Sequence, residues 1–213
     1  MFITAEAIGE IEKKYGRPNE RSFAYEMTPS EFEVVRASQK HGRAHDVTLF
    51  IFDHSTRGNP DDHVDGVRVV VIRKPMYPPG AYRAPSGGVA PGEPFEQGAL
   101  REAYEETGLI VSLEKYIIRA RVLFSNKDRS IDWTSHVFTS SSAGGKLDPI
   151  DTHEIAEARW VTVAEMMGRI RDALLASGST GLRYRSELAD AVVRRLTDGG
   201  LLPTSSRSNE PLV

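Results

Sequence analysis

Residues 87–109 read Gly87-Gly88-Val89-Ala90-Pro91-Gly92-Glu93, then Pro94-Phe95-Glu96-Gln97-Gly98-Ala99-Leu100, then Arg101-Glu102-Ala103-Tyr104-Glu105-Glu106-Thr107-Gly108-Leu109. Phe95 to Thr107 is the best helix in the sequence: Pro94 opens it at no cost in donors, and Gly108 stands where a left-handed residue ends a helix. On that helix Glu102 lies three residues from Glu105 and four from Glu106, so three carboxylates project to one side, within reach of a common point. Like charges ~5–6 Å apart raise one another's pKa or need a cation between them. The basic residue beside them in sequence is Arg101, and a divalent ion is the economical answer. All-oxygen ligation points to Mg²⁺ or Mn²⁺ rather than zinc, the coordination being completed by water and phosphate oxygens.

The loop ahead of the helix supplies the other half. Gly87, Gly88 and Gly92 let backbone approach a ligand closely and turn back onto the helix, whose N-terminal N–H groups favour an anion, so a phosphorylated substrate suits the place. Glu93 suits the positive end of the helix and can reach the carboxylate cluster as an outer ligand. Arg101 precedes Glu105 by four residues, which reads as an ion pair orienting that carboxylate.

Outward from this stretch, residues 4–15 form an amphipathic helix with Ile8 and Ile11 on one side. Thr28-Pro29-Ser30-Glu31 is a capping box that starts a second helix running toward Gln39. Val47 to Phe52 and Val67 to Ile72 have strand character and flank the polar turn region Ser55 to Asp65. Pro75 to Pro91, with five prolines, must be irregular, and such a loop inside a domain is more often functional than idle. Further strands are expected at Ile117 to Phe124, Trp133 to Thr139 and Ala158 to Val161. Thr162-Val163-Ala164-Glu165 caps a helix to about Ala176, Ser177 to Gly181 breaks it, a last helix runs from Ser186 to Leu196, and Pro203 to Val213 reads as a loose tail. The expected organisation is a helical N-terminal appendage over 1–44, a central domain over 45–165, C-terminal helices over 166–202 packed on the domain or on a dimer partner, and the tail.

Composition narrows the classes. The 213 residues are 39% hydrophobic and 27% charged, enough for a sizeable core. Zero cysteines exclude a disulfide framework, cysteine-ligated zinc, an iron–sulfur cluster and a thiol nucleophile. A net charge of −3 argues against DNA as partner. A helix-turn-helix reading of the C-terminal helices fails for the same reason, since Val163 to Asp198 carries six arginines against five acids. The N-terminus lacks a basic start and apolar run, and no stretch approaches a membrane span, so a cytoplasmic protein with no membrane partner is expected.

The spacing Gly87-x5-Glu93-x7-Arg101-Glu102-Ala103-x-Glu105-Glu106-x-Gly108-Leu109 resembles the 23-residue box of the Nudix hydrolases at every specified position. Tyr82 to Ser86 is similar to the lead-in of that box and Glu154 to Val161 to the family's closing strand, so about residues 45–165 are covered. The resemblance implies an α/β fold, a Nudix-type α/β/α sandwich around a mixed β-sheet, with extra helices at both ends. It implies Mg²⁺- or Mn²⁺-dependent hydrolysis of a diphosphate bond in a nucleoside diphosphate linked to another moiety, by metal-activated water. Glu102, Glu105 and Glu106 match the metal-binding glutamates, with Gly87 beside them, and Glu102 also matches the residue often assigned as general base. Glu154 is placed as the acid outside the box that completes the site, ahead of Glu157, Asp151 and Asp148. The expected catalytic set is Glu102, Glu105, Arg101 and Glu154, and the expected substrate contacts are Arg83, Gly87 and Gly88.

Other residues carry two readings. Arg73, Lys74, Arg83, Lys127 and Arg129 flank the loop and the strand connection, where each suits either a phosphate or the solvent. His136 reads as a satisfied, partly buried strand residue, His153 as a loop histidine, and Trp133 and Trp160 as core or sheet-face residues. An idle nucleotide-binding module of the same fold is the alternative function. The isomerase branch of the fold needs a catalytic cysteine, which this chain lacks. Leu123-Phe124-Ser125-Asn126 stands where some relatives carry a substrate-marking proline or tyrosine, so the substrate stays open.

Overall fold

The computed structural model describes residues 3–40, 45–53, 66–90 and 92–202. Helix α1 (Ala5–Tyr15) starts at Thr4, whose hydroxyl accepts from the Ala7 N–H. It leads into strand β1 (Asn19–Glu26) and helix α2 (Pro29–Lys40). The expected capping box opens α2: the Glu31 N–H donates to Thr28 Oγ1 and the Thr28 N–H to the Glu31 carboxylate. Strands β2 (His45–Phe52), β3 (Arg68–Arg73) and the short β4 (Ser86–Gly87) precede helix α3 (Phe95–Thr107). After it come β5 (Leu109–Asn126), β6 (Arg129–Gly145) and β7 (Glu157–Thr162). The chain closes on α4 (Val163–Glu165), a π-helical turn (Met166–Ile170), α5 (Arg171–Ala176) and α6 (Thr180–Asp198).

The sheet order is β1-β5-β6-β2-β3-β7, with β4 paired to β2. It is mixed: β1 runs parallel to β5 and β2 parallel to β6, while the β5–β6, β2–β3 and β3–β7 pairs are antiparallel. Strand β2 shows why two helical layers are needed, because it is buried on both faces. Val47, Leu49 and Ile51 join Phe95, Ala99 and Ala103 of α3 and Ile11 of α1 in one core. Phe50 and Phe52 join Phe32 of α2 and Leu188, Val192 and Leu196 of α6 in the other. The fold is the expected α/β/α sandwich, and the C-terminal helices pack on this chain's own sheet.

Several elements differ from the sequence reading. The segment expected as a helical appendage contributes an edge strand, β1, whose charged and exposed Asn19-Glu20-Arg21-Ser22 carry no apolar alternation to reveal it. Strands β5 and β6 extend beyond the expected spans, since pairing across the hairpin carries polar segments such as Glu114-Lys115 and Ser140 to Gly145 along, with bulges absorbing the irregularity. Helix α6 starts six residues earlier than Ser186, capped by the Ser179 hydroxyl on the Leu182 N–H, and the Glu31 carboxylate accepts from the Thr180 N–H at the same end. The preceding helix is interrupted at Gly168, whose backbone leaves the helical region. The turn region Ser55 to Asp65, Pro91 and the tail Pro203 to Val213 lie outside the described residues.

His136 is fully enclosed rather than partly buried. Its Nδ1 lies 2.6 Å from Tyr116 Oη and its Nε2 3.1 Å from His45 Nδ1, and Arg119 Nε donates to the same tyrosine oxygen at 3.1 Å. A neutral imidazole has one N–H and one acceptor nitrogen, so if the Tyr116 hydroxyl donates to Nδ1, Nε2 donates to His45. Trp160 and Trp133 are partly buried against the two cores. Among the described residues no helix is long and apolar enough to cross a membrane.

Candidate active site

Helix α3 presents its carboxylates because its opposite side is spent on the core, through Phe95, Ala99 and Ala103. Gly108 ends it with φ +74°, a left-handed cap whose N–H returns to Tyr104 O. Beyond it, the 148–151 segment docks on the last turn: the Asp148 N–H donates to Thr107 O, and those of Ile150 and Asp151 to Glu105 O.

Arg101 is the hub. Its Nε and Nη2 grip the two oxygens of Glu93 at 2.8 and 2.9 Å, and Nη2 also donates to the Gly88 carbonyl at 3.1 Å. Its Nη1 donates to Glu102 Oε1 at 3.0 Å and to Glu105 Oε2 at 2.8 Å. The expected Arg101–Glu105 pair is therefore present, as one of three. Glu93, expected to reach out as an outer ligand, is instead turned inward, because a bidentate carboxylate is the natural partner of a guanidinium and the Ala90 N–H adds a third bond.

Gly87 lies against Glu102. A Cβ at Gly87 would sit 1.8 Å from Glu102 Oε2, and its φ lies outside the left-handed region, so space rather than backbone freedom demands glycine. Gly87→Ala is expected to keep the fold, as read by its Tm, while displacing the Glu102 carboxylate and lowering kcat on the order of 10²-fold. Wild-type turnover in Gly87→Ala would show that this close approach does not matter.

Glu106 is buried and held by the Ser86 N–H at 2.7 Å and by Arg83 Nη2 at 3.3 Å. The structure places Arg83, the expected substrate contact, inside the protein. Its side chain is 4% exposed and donates to Ala84 O, Ser86 Oγ and Tyr77 Oη as well as to Glu106, so it positions Glu106 from inside. Sequence distance hid this second cation, which comes from 23 residues away, and nothing in the pattern marked Tyr77. Glu154, expected as the completing acid, is 63% exposed and bonds Lys74 Nζ at 2.7 Å; among the described residues no hydrogen bond or ion pair joins it to the α3 carboxylates. The backbone N–H groups of His153 and Glu154 both donate to Asp151 Oδ1, which shapes the turn that carries it.

Burial pushes the Glu102 carboxyl above the usual carboxylate range, the charges of Glu106 and Glu105 adding to it against the pull of Arg101. Burial also raises Glu106, against Arg83, Lys74 and the Ser86 N–H. Among the described residues no three acidic or imidazole side chains are gathered into a cation cage as they stand. The donor set still fits a hard divalent ion. Glu102 and Glu105 converge on a single nitrogen of Arg101, so the place between them already holds positive charge, and every donor there is an oxygen.

A mixed sheet between helical layers, with a glycine loop feeding a helix of converging carboxylates, defines a class of α/β/α sandwich domains. The chain belongs to the NUDIX domain family, whose model matches residues 43–178. Among curated relatives it is 32% identical over 132 residues to the "Putative mutator protein MutT4" of Mycobacterium tuberculosis (strain CDC 1551 / Oshkosh), covering 60% of this chain and 50% of that one. It is 33% identical over 95 residues to the NAD-capped RNA hydrolase NudC of Stutzerimonas stutzeri (strain A1501), covering 45% of this chain and 32% of that one. The chain thus spans half the length of the first relative and about a third of the second. A crystal structure of UDP-X diphosphatase shares the fold, with a TM-score of 0.50, 16% identity, and coverage of 79% of this chain and 72% of that one.

Proposed function

We propose that this chain hydrolyses the diphosphate bond of a nucleoside diphosphate linked to a second group, with Mg²⁺ or Mn²⁺ held by Glu102, Glu105 and Glu106 beside Gly87. The observation that carries the reading is the convergence of Glu102 and Glu105 on one point, with Gly87 packed against Glu102. Membership of the family and similarity to an NAD-capped RNA hydrolase support it.

In this reading water attacks one phosphorus and the bond to the bridging oxygen breaks, releasing a nucleoside monophosphate and the phosphate of the second group. Glu102 accepts the proton of the attacking water; burial lifts its carboxyl toward the range in which a base works best near neutral pH. Arg101, tethered by Glu93 and Gly88, holds Glu102 and Glu105 in place. Arg83 and the Ser86 N–H hold Glu106. Glu154 adds a carboxylate from the turn docked on Glu105. A bound divalent ion supplies neutralisation of the charge that builds on the phosphate oxygens.

The test is product release from a panel of nucleoside diphosphate sugars, dinucleotides and nucleoside triphosphates. Turnover is expected with Mg²⁺ or Mn²⁺ and none with EDTA. A blank across the panel at micromolar protein overturns the hydrolase reading in favour of an idle binding module, and turnover that survives EDTA overturns the metal.

A further inference from the structure

A diphosphate entering this site meets an acidic surface. Glu93, Glu102, Glu105 and Glu106 are balanced by two guanidiniums that are already committed, Arg101 to three carboxylates and Arg83 to the protein interior. Further positive charge must come from a cation that can change partners.

Lys74 has that position. It follows the end of β3, and its side chain is 23% exposed, unusually covered for a lysine. Its ammonium bonds Glu154, which is 63% exposed, so the partner is a surface carboxylate that water can replace. The turn bearing Glu154 is anchored on the site from two sides. Its start is bonded to Glu105 O of α3 through the Ile150 and Asp151 N–H groups, and its end returns to β3 through Ala156 N–H on Arg73 O. The turn that carries Glu154 therefore joins α3 to β3, the Lys74–Glu154 bond ties the end of β3 to that turn, and the Lys74 charge is felt at both Glu106 and Tyr77.

We propose that Lys74 is a substrate contact, its ammonium exchanging Glu154 for a phosphate oxygen of a bound nucleoside diphosphate and so releasing Glu154 toward the α3 carboxylates. This rests on the hydrolase reading for the identity of the anion. The geometry favours exchange over a fixed structural pair because the lysine end is confined and the glutamate end is solvated. A buried structural pair would confine both, as Arg185 and Asp46 do at 20% and 6% side-chain exposure.

The experiment uses the full chain and α,β-methylene-ADP with Mg²⁺, a nucleoside diphosphate whose bridging carbon resists hydrolysis, with binding measured by calorimetry and folding by Tm. Lys74→Met keeps the apolar stem and is expected to weaken binding about 10- to 100-fold, the range for losing a hydrogen bond to a charged group. Lys74→Arg is expected to restore most of the affinity, and Lys74→Gln repeats the loss if the Met variant folds poorly. On any substrate the panel yields, Lys74→Met is expected to raise KM more than it lowers kcat. Unchanged affinity in a folded Lys74→Met or Lys74→Gln variant overturns the inference and leaves the hydrolase reading standing. Binding of the analogue by wild type together with a blank across the substrate panel overturns the hydrolase reading, and weaker binding by Lys74→Met or Lys74→Gln then still supports Lys74 as the anion contact. No binding by wild type overturns the inference, while the hydrolase reading stands or falls on the substrate panel.

Discussion

Glu102→Gln is expected to lower kcat/KM by about 10²–10⁴-fold on whichever substrate the wild type hydrolyses, without loss of the fold. The amide is isosteric and can keep the Arg101 bond through its carbonyl oxygen, but it cannot take a proton from water and removes a charge that a divalent ion needs. The stability side of the same variant has a definite sign. In the metal-free protein burial holds the folded Glu102 carboxyl above its ordinary value of 4.5. A raised carboxyl contributes stability that is present below the unfolded value and is lost as pH rises through the folded one, so at neutral pH the ionised form is a burden. The amide removes that burden, and the Tm of metal-free Glu102→Gln is expected to equal or exceed that of wild type. Glu96→Gln is the control: it lies on the same helix but is bound to Lys14 and Tyr15, so turnover should stay within about twofold of wild type. More than a tenth of wild-type activity in Glu102→Gln would sink the assignment of this residue as base.

The second large effect is acid destabilisation centred on His136. Burial, with the charges of His45 and Arg119, pushes its imidazole down to about 3 from 6.5. The unfolded chain therefore takes up a proton below pH 6.5 that the folded chain refuses, and stability present above that value is lost as pH falls toward 3, by about 1 kcal/mol per pH unit. His45, also lowered by burial, acts in the same direction. Against a total of about 5–15 kcal/mol for a domain, two units of acidification consume a large fraction. Urea unfolding at pH 7.5, 6.5 and 5.5 should show this slope. In His136→Gln the slope should flatten, even though stability at pH 7.5 falls through the loss of the Tyr116 and His45 contacts. Equal slopes in the two proteins would place the acid sensitivity elsewhere.

What could be read before the fold was known follows one rule: it was local. The capping box at Thr28 and Glu31, the span of α3 to the residue, its Gly108 stop and the three carboxylates on one side all depend on spacing within a few turns of chain. The Arg101–Glu105 pair was legible for the same reason, being one helical turn apart. Strand β1 was not, because its first half is polar and exposed, the alternation of Phe23 and Tyr25 is too short to mark a strand, and it exists through its parallel pairing to β5. Arg83 illustrates the limit within the site. Its position just ahead of the box suggested a phosphate ligand, whereas the Ile72–Arg83 bridge turns it into the protein, onto Glu106.

By itself, then, the sequence determined the family, the span of helix α3 and the carboxylates that side-chain periodicity places together, since a helix converts spacing directly into proximity. Tertiary structure alone decided how their charges are balanced: Arg101 shared among Glu93, Glu102 and Glu105, Arg83 drawn under Glu106, and Lys74 bridged to Glu154. Those pairings join segments from separate strands, loops and turns, and burial, which sets what each ion pair costs, exists only once the sheet and its two helical layers have closed around them.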